Sequence, residues 1–456
     1  GAIGTGIQVQ DPLMISASTY PTQTTQYYGT YGQNNFQLST TGGSGTGQVT
    51  YEVVFGDSVE VTPDGQVTVL KLGKSRIKAT KAGDDTYPIP ISASVGITVH
   101  PKSIDNYTIS VSPIPTVTYN GTTHKPTPII IDNATQTQLT SDDYEISYGE
   151  NINVGEGSVT LTGKGNYQDS REIIFYISPL IEIGSADELR RIADEINSGN
   201  TEYINGYFEL TADIDLGGSE FPWTAIGTSS KPFCGVFDGK GHSITGLYID
   251  QAGKGSRQGL FGALGRQSVV QNLGVEGTIL SEIYTGSIAG VNAGTIKNCY
   301  TDCEVKASSS YTGGITGRNT GTIENCYNLG KVQGGPYVGG IAGTNSGDNG
   351  SGATIRDCYN WGTVDGSSST VGGITTQRKG TTSTISNCFY LYGCADGGID
   401  GVDQPDAAEG KTQEQFVNEN TFLGWDFTDI WAMSSTLGRP ILRTTPEERT
   451  EHTHQF

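Results

Sequence analysis

The C-terminal half of the chain repeats a short pattern of apolar and polar positions. Each copy reads isoleucine, any residue, Asn or Asp, cysteine and an aromatic residue, as in the phrase that ends at Cys299 and Tyr300. The cysteine column contains Leu247, Leu273, Cys299, Cys326, Cys358 and Cys388, at steps of 26, 26, 27, 32 and 30 residues. Repetition at such a period is typical of a solenoid, in which each turn stacks on its neighbours.

Two further apolar columns keep the same period. One opens each turn between glycines and contains Phe261, Ile288, Ile315, Ile341 and Ile374. The other lies six residues after the cysteine column and contains Ile279, Val305, Val332, Val364 and Cys394. Short apolar columns separated by Gly and Asn predict parallel strands that stack about 4.8 Å apart. We therefore predict a right-handed parallel β-helix of six turns within residues 180–445.

Both ends of this coil have candidate caps. The stretch "SADELRRIADEINSGN" places Ser185 and Glu188 at the spacing of a capping box. The apolar residues that follow recur at helical spacing, which predicts an amphipathic helix before the coil; they are Leu189, Ile192, Ala193 and Ile196. After the last turn, Phe416, Trp425 and Trp431 supply enough apolar area to close the other end.

Upstream of the predicted helix, apolar and polar residues alternate, with turn signals every eight to twelve positions. The stretches "GQVTVLKLGKSRIKATKAGDD" and "GSVTLTGKGNYQDSREIIFYI" are examples. This pattern predicts antiparallel β-sandwiches, at 11–100 and 101–179. Neither region contains a cysteine, so neither has an inter-sheet disulfide. The predicted fold class is all-β, with two immunoglobulin-like sandwiches followed by the β-helix.

Composition narrows the classes of partner. The 456 residues carry 48 acidic and 27 basic side chains, a formal net charge of −21. Such a surface repels phosphate backbones and anionic lipids, so we expect no nucleic-acid partner. No apolar run approaches the roughly 20 residues that cross a bilayer, and no secretory leader opens the chain. We therefore expect no membrane insertion, and a monomer.

The seven cysteines are interpreted most simply as buried small hydrophobes. Leucine and valine occupy the same columns, the number is odd, and free cysteine is among the most buried residue types. A disulfide framework is the alternative. A zinc site is disfavoured because no C-x-x-C pair occurs. We predict that Cys299, Cys326, Cys358 and Cys388 form one interior column of free thiols.

Catalytic motifs are absent from the sequence. It contains no H-E-x-x-H, no G-x-S-x-G elbow and no phosphate-binding P-loop, so we predict a protein that is not an enzyme. In "TADIDL", Asp213 and Asp215 point to the same side of a strand and could share a Ca²⁺ ion or act on a polysaccharide. A solvated strand face is the favoured interpretation of this pair. No other cofactor is predicted.

An aromatic residue follows each cysteine of the column. If the cysteines point inward, the rings of Tyr300, Tyr327, Tyr359 and Phe389 point outward as a ladder, one per turn. Exposed, this ladder is a platform for a sugar or a protein; stacked ring on ring, it stabilises the coil. We name these four residues as candidate ligand-binding residues and favour the stabilising role.

The repeated phrases resemble a known family. "TGGITGRNTGTIENCY" and "VGGIAGTNSG" look like the GLUG repeat of bacterial surface proteins, which also occurs beside the peptidase domain of some immunoglobulin A proteases. The upstream regions, with "LSTTGGSGTGQVTYEVV" and "VTYNGTTHKPTPIIID", are similar to bacterial Ig-like repeats. The resemblance is specific for architecture and says little about activity. Together with the absence of a catalytic motif, it leads us to expect a secreted or wall-attached, non-catalytic adhesin or ligand-binding stalk, whose partner is a host or bacterial surface glycan or protein. The alternatives are a β-helix lyase or glycosidase, and the non-catalytic part of a larger surface protease.

Overall fold

The structure is a computed structural model that describes residues 7–18, 25–347, 352–367, 371–377 and 382–444. The chain forms two compact units. The first contains residues up to 112 together with 125–149 and 158–174, and the second contains 113–124, 150–157 and the chain from 175 onward. The predicted domains 11–100, 101–179 and 180–445 stay predictions, and residue 445 lies outside the described part of the chain.

The strands before the solenoid are short and follow one another closely. In chain order they are β1 (Leu13–Ala17), β2 (Gln26–Thr30), β3 (Phe36–Gly42), β4 (Val49–Phe55), β5 (Val59–Val61), β6 (Gln66–Val69), β7 (Gly73–Lys81), β8 (Ile91–His100), β9 (Lys102–Ser103), β10 (Ile109–Val111), β11 (Val117–Thr118), β12 (Ile130–Asp132), β13 (Thr137–Gln138), β14 (Tyr144–Tyr148), β15 (Gly155–Gly163), β16 (Tyr167–Gln168) and β17 (Ser170–Ser178).

Two four-stranded sheets form the N-terminal part of the first unit. Their strand orders are β1-β3-β6-β5, which is antiparallel throughout, and β2-β8-β7-β4, in which β2 pairs parallel to β8. Leu38 and Val67 of one sheet and Ile77 and Val95 of the other are buried in one core. The alternation in the sequence therefore gives a β-sandwich, because alternate residues of each strand face this core. Its assignment as Ig-like stays a prediction.

The remainder of the first unit contains shorter pairings. Strands β10, β12 and β13 form an antiparallel sheet, β14 pairs antiparallel to β15, and β9 pairs parallel to β16. In the second unit, β11 pairs parallel to β17 through Val117 and Ile177.

The second unit is dominated by the solenoid. Its strands are β18 (Leu180–Ile183), β19 (Tyr207–Leu210), β20 (Ile214–Asp215), β21 (Val236–Asp238), β22 (Ser243–Asp250), β23 (Ser256–Gln258), β24 (Phe261–Leu264), β25 (Val269–Ser281), β26 (Ile283–Thr285), β27 (Ala289–Asn292), β28 (Thr295–Ala307), β29 (Thr312–Gly313), β30 (Thr316–Asn319), β31 (Thr322–Glu324), β32 (Tyr327–Asn328), β33 (Val332–Gly334), β34 (Val338–Gly339), β35 (Ala342–Asn345), β36 (Ala353–Arg356), β37 (Tyr359–Asn360), β38 (Val364–Gly366), β39 (Val371–Gly372), β40 (Thr375–Gln377), β41 (Ser383–Ser386), β42 (Cys388–Leu391) and β43 (Ala408–Lys411). A hairpin of β44 (Trp431–Ser434) and β45 (Arg439–Leu442) follows.

These strands stack in register, as the columns in the sequence predict. Strand β25 pairs parallel to β28 with Leu273 opposite Cys299, and β28 pairs parallel to β32 with Tyr300 opposite Tyr327. Two five-stranded parallel sheets, β23-β26-β29-β34-β39 and β24-β27-β30-β35-β40, form the other faces. The coil has about seven turns, because parallel pairing continues before and after the six turns counted in the sequence.

The interior of the coil contains the predicted apolar columns, except that Cys394 is only partly buried. Ile288, Ile315 and Ile341 are fully buried, and so is the predicted cysteine column. Glycines flank the isoleucines because neighbouring turns approach closely there. A Cβ at Gly340 would collide with the carbonyl oxygen of Gly373 on the next turn.

The predicted capping helix is confirmed. Helix α1 (Ala186–Ser198) begins at Ser185, whose Oγ accepts a hydrogen bond from the Glu188 backbone N–H at 3.3 Å. The Glu188 carboxylate accepts from the Gly184 backbone N–H at 2.8 Å, one residue before the position that a capping box uses. The four predicted apolar residues are all buried against the solenoid. A second short helix, α2 (Thr201–Ile204), follows. Every helix of the described residues is too short or too polar to cross a membrane.

The segment after the last turn does not close the end of the coil, which corrects the prediction. Helix α3 (Gln413–Phe416) and the hairpin β44–β45 lie along one side of the solenoid. A Cβ at Gly241, on an early turn, would meet the carbonyl oxygen of Thr444. The last turn is covered instead by residues 395–408, where Ile399 and Ala408 join the interior core. We refer to residues 412–444 as the C-terminal flap.

Candidate functional site

The predicted aromatic ladder is not an exposed platform. Tyr327 and Tyr359 stack with ring centroids 4.8 Å apart and planes 3° apart, and both are 0% exposed. Tyr300 is also buried, and Phe389 is partly buried. The C-terminal flap covers them, with Trp431 about equally close to Tyr327 and Tyr359, at 6.0 and 6.1 Å. The exposed position expected for a ligand platform is therefore wrong, and stacking that stabilises the coil accounts for these rings.

Asp213 and Asp215 have separate local partners. The Asp213 Oδ1 accepts from the Ser243 backbone N–H at 2.9 Å and lies 3.1 Å from Nδ1 of His242. The Asp215 Oδ1 accepts from the Gly217 backbone N–H at 2.8 Å. Both carboxylates thus fix turns next to β20. Across the described residues, no cluster of three or more His, Cys, Asp or Glu has the arrangement of a metal site.

The cysteine column is a set of buried, free thiols. Cys299, Cys326, Cys358 and Cys388 are free and buried. Each thiol donates to the carbonyl oxygen two residues earlier, for example Cys326 to Glu324 at 3.1 Å. Burial raises the pKa of Cys326, Cys358 and Cys388 well above that of an ordinary thiol. Because the thiolate is the reactive and metal-binding form, this column is structural.

A second aromatic ladder lies on another side of the coil. Tyr284, Tyr311 and Tyr337 stack on successive turns, with centroids 5.0 Å apart at both steps and planes within 9°. All three are partly exposed. On the preceding turn the same column holds Arg257, whose guanidinium carbon lies 5.3 Å from the Tyr284 ring centroid. We call these four residues the open ladder.

The backbone of the open ladder is unusual. Arg257, Tyr284, Tyr311 and Tyr337 have φ values of 58°, 56°, 67° and 63°. Bulky residues rarely adopt this left-handed conformation, which costs on the order of 1–3 kcal/mol each. Each stacked aromatic pair stabilises the fold by only about 0.5–1.5 kcal/mol. Asn or Gly would fit this corner with less strain than Arg or Tyr.

A cavity of about 400 Å³ opens at the head of the open ladder. Strand β23 contributes Ser256, Arg257 and Gln258 to its wall, and Trp223 and Asn197 line the opposite side. The Trp223 indole N–H donates to the Leu260 carbonyl oxygen at 3.0 Å, which fixes the ring. Among the described residues that line the cavity, Arg257 is the only charged one; apart from Trp223, the rest supply hydroxyl, amide and small side chains.

This combination has the chemistry of a polar-ligand site. Ligand cavities of about 300–1,000 Å³ pair aromatic surface with a few polar groups that orient the ligand. Here one guanidinium lies between an aromatic stack and a wall of amides and hydroxyls. Such a site offers hydrogen bonds to a hydroxyl-rich molecule and one charge-assisted bond to an acid group.

The open ladder was not predicted from the sequence. The signal was present, because each residue stands four positions before the isoleucine column, in "YTGSIAG", "YTGGITG" and "YVGGIAG". The tyrosines lie near glycines, in stretches of sequence that are rich in turn-forming residues. In such stretches hydrophobic periodicity gives no reason to align the tyrosines as a column.

The repeat is similar to a known motif and to parts of known proteins. The family model of the GLUG motif matches residues 308–333, which include Tyr311 and Cys326. A "Putative Gly-rich membrane protein" from Evansella cellulosilytica is 31% identical over 120 residues, and halomucin from Haloquadratum walsbyi is 32% identical over 128. Each match covers 25% of this chain, but only 14% and 1% of those proteins.

A solved structure is also similar over the greater part of the chain. It is a "putative immunoglobulin A1 protease" from Bacteroides ovatus, with 22% identity and a TM-score of 0.39. The similarity covers 59% of this chain and 93% of that one. The repeat itself is identified by the family model and by the observed coil: residues 308–333 carry the GLUG motif, within a parallel β-solenoid.

Proposed function

We propose that this chain is a non-catalytic, ligand-binding segment of a bacterial cell-surface protein, and that it binds glycan through the open ladder and its cavity. The observation that carries the proposal is the position of Arg257, which belongs to both features. Its charge and the hydroxyl and amide groups around it suit an acidic sugar. The ligand is therefore an acidic glycan of a host or bacterial surface.

The surface location draws support from the similar proteins. One carries "membrane protein" in its name and another is a halomucin. A coil with few charged residues and many stacked turns forms a long, rigid surface. Such a surface suits display outside the cell, because it holds a ligand at a fixed position.

A glycan array followed by calorimetric titration tests this function. We expect the protein to bind acidic oligosaccharides more tightly than neutral ones. Arg257→Ala should weaken binding at least about tenfold, which corresponds to about 1.4 kcal/mol. Tyr311→Asn should also weaken it, and this variant keeps a residue that tolerates the left-handed backbone.

Tyr392→Ala is the matched control, because Tyr392 is 71% exposed and stands outside the open ladder. Equal affinity of the Arg257→Ala variant and the unchanged protein would contradict the proposed site. Cleavage of any bound polysaccharide would contradict the non-catalytic role.

A further inference from the structure

A lysine and an aspartate are buried together in the first unit. Lys102 lies in β9 and Asp132 ends β12, and their side chains are 5% and 0% exposed. The Lys102 Nζ lies 2.9 Å from Oδ1 and 2.8 Å from Oδ2 of Asp132. Contact with both oxygens places the amine directly opposite the carboxyl carbon.

Two donors hold the same carboxyl group. The Tyr167 hydroxyl donates to Oδ2 of Asp132 at 3.0 Å, and the Ala134 backbone N–H donates to Oδ1 at 3.0 Å. Burial and the neighbouring Asp132 raise the pKa of Tyr167, so its hydroxyl keeps its proton. Donors fixed on a carboxyl oxygen stabilise the negative charge that develops there when an amine attacks the carbon.

The surroundings exclude solvent. Ile104, Ile109 and Ile130 are at most 3% exposed, and Tyr31 packs edge-on against the Tyr167 ring at 5.8 Å. A charge pair in such a place costs several kcal/mol of desolvation per ion. Joining the two groups as an amide removes both charges at once. Release of water from a dry pocket also favours the amide over its hydrolysis.

We propose that Lys102 and Asp132 condense to an intramolecular isopeptide bond. A proton first passes from the ammonium to the carboxylate, which gives a neutral amine and a carboxylic acid. The Nζ lone pair then attacks the carboxyl carbon of Asp132, forming the C–N bond. Nζ loses one proton to the departing hydroxyl, the C–O bond breaks, and one water leaves. Tyr167 is a positioning residue that polarises the carbonyl oxygen throughout.

Intact mass under denaturing conditions tests the bond. The purified, folded protein should be lighter than its sequence by one water, and a tandem spectrum should show the peptides around Lys102 and Asp132 joined. The full sequence mass, with both peptides found separately, would overturn the proposal. The unchanged protein decides the question, so the result does not depend on a variant that folds poorly.

Three variants sharpen the assignment. Lys102→Arg and Asp132→Ala should each restore the full mass. Tyr167→Phe should slow the loss of water during a time course after refolding, whereas a merely structural tyrosine would leave that rate unchanged. Aspartyl–glycine steps such as Asp64–Gly65 also lose water when they cyclise. Assigning the loss to such a step, instead of to a joined pair of peptides, would likewise overturn the bond.

Discussion

On five successive turns of the solenoid, one corner is formed by an asparagine or aspartate residue. Asn272, Asn298, Asn325, Asp357 and Asn387 have φ values between 50° and 53°. Asn and Asp tolerate this backbone better than other residues that carry a Cβ. Their side chains also bond from turn to turn, as Asn298 Nδ2 does to Asn272 Oδ1 at 3.2 Å. At this corner, residue type follows from backbone geometry and from these hydrogen bonds, in contrast to the tyrosines of the open ladder.

The buried thiols make stability depend on pH. In the unfolded chain a cysteine ionises near pH 8.5. In the folded chain burial raises the pKa of Cys326, Cys358 and Cys388, so the unfolded state loses these protons first. We expect their contribution to be complete below about pH 8.5 and to be lost as the pH rises above it. Urea unfolding between pH 7 and 10 measures this.

A variant with all three cysteines replaced by alanine is the control. It should be less stable at pH 7 and should show a weaker loss of stability in the alkaline range. An alkaline slope equal to that of the unchanged protein would contradict the role of the thiols.

The covered ladder and the C-terminal flap act as one element. The flap places Trp431 against Tyr327 and Tyr359, and the Tyr359 hydroxyl donates to the Pro440 carbonyl oxygen at 2.7 Å. Arg439 lies over the Tyr327 ring at 5.9 Å. Stacked rings on the coil thus provide a flat apolar face, and the flap removes that face from water.

Removing the central ring of the flap should uncover this face. Trp431→Ala should lower the free energy of unfolding by about 3–5 kcal/mol, because Trp431 is fully buried. Limited proteolysis should then cut within 412–444 before it cuts the coil. Leu423→Ala is the matched control on the same segment, since Leu423 is 76% exposed. Equal stability of the two variants would show that the flap does not depend on this contact.

At the scale of the whole solenoid, each turn is stabilised mainly by its two neighbours. Interior turns pair on both sides, as β28 does with β25 and β31. Among the described strands of the coil, the outermost strand β43 pairs on one side, with β42. Stability in such a stack is nearly a sum over turns and interfaces. Hydrogen exchange should therefore be slowest in β28 and faster in β43. Uniform protection along the coil would indicate a single cooperative block instead.

The local pattern of the sequence determined the coil. Parallel stacking places equivalent residues of successive turns over one another, so buried residues such as Ile288, Ile315 and Cys326 recur at the period of one turn. Their burial follows from the repeat alone. The capping helix could also be predicted from the sequence, because the N-cap residue and four apolar residues at helical spacing lie in one short stretch.

Only the tertiary structure decided which surfaces remain open. Tyr327 and Tyr311 lie in the same repeat and both stack on the next turn, yet the flap buries the first and leaves the second partly exposed. The covering residue Trp431 lies about a hundred positions away in sequence, and no periodicity links it to the ladder. Likewise Lys102, Asp132 and Tyr167 meet through strands that are distant along the chain. A sequence pattern records which side of its own strand a residue faces, whereas packing between distant segments decides what that side meets.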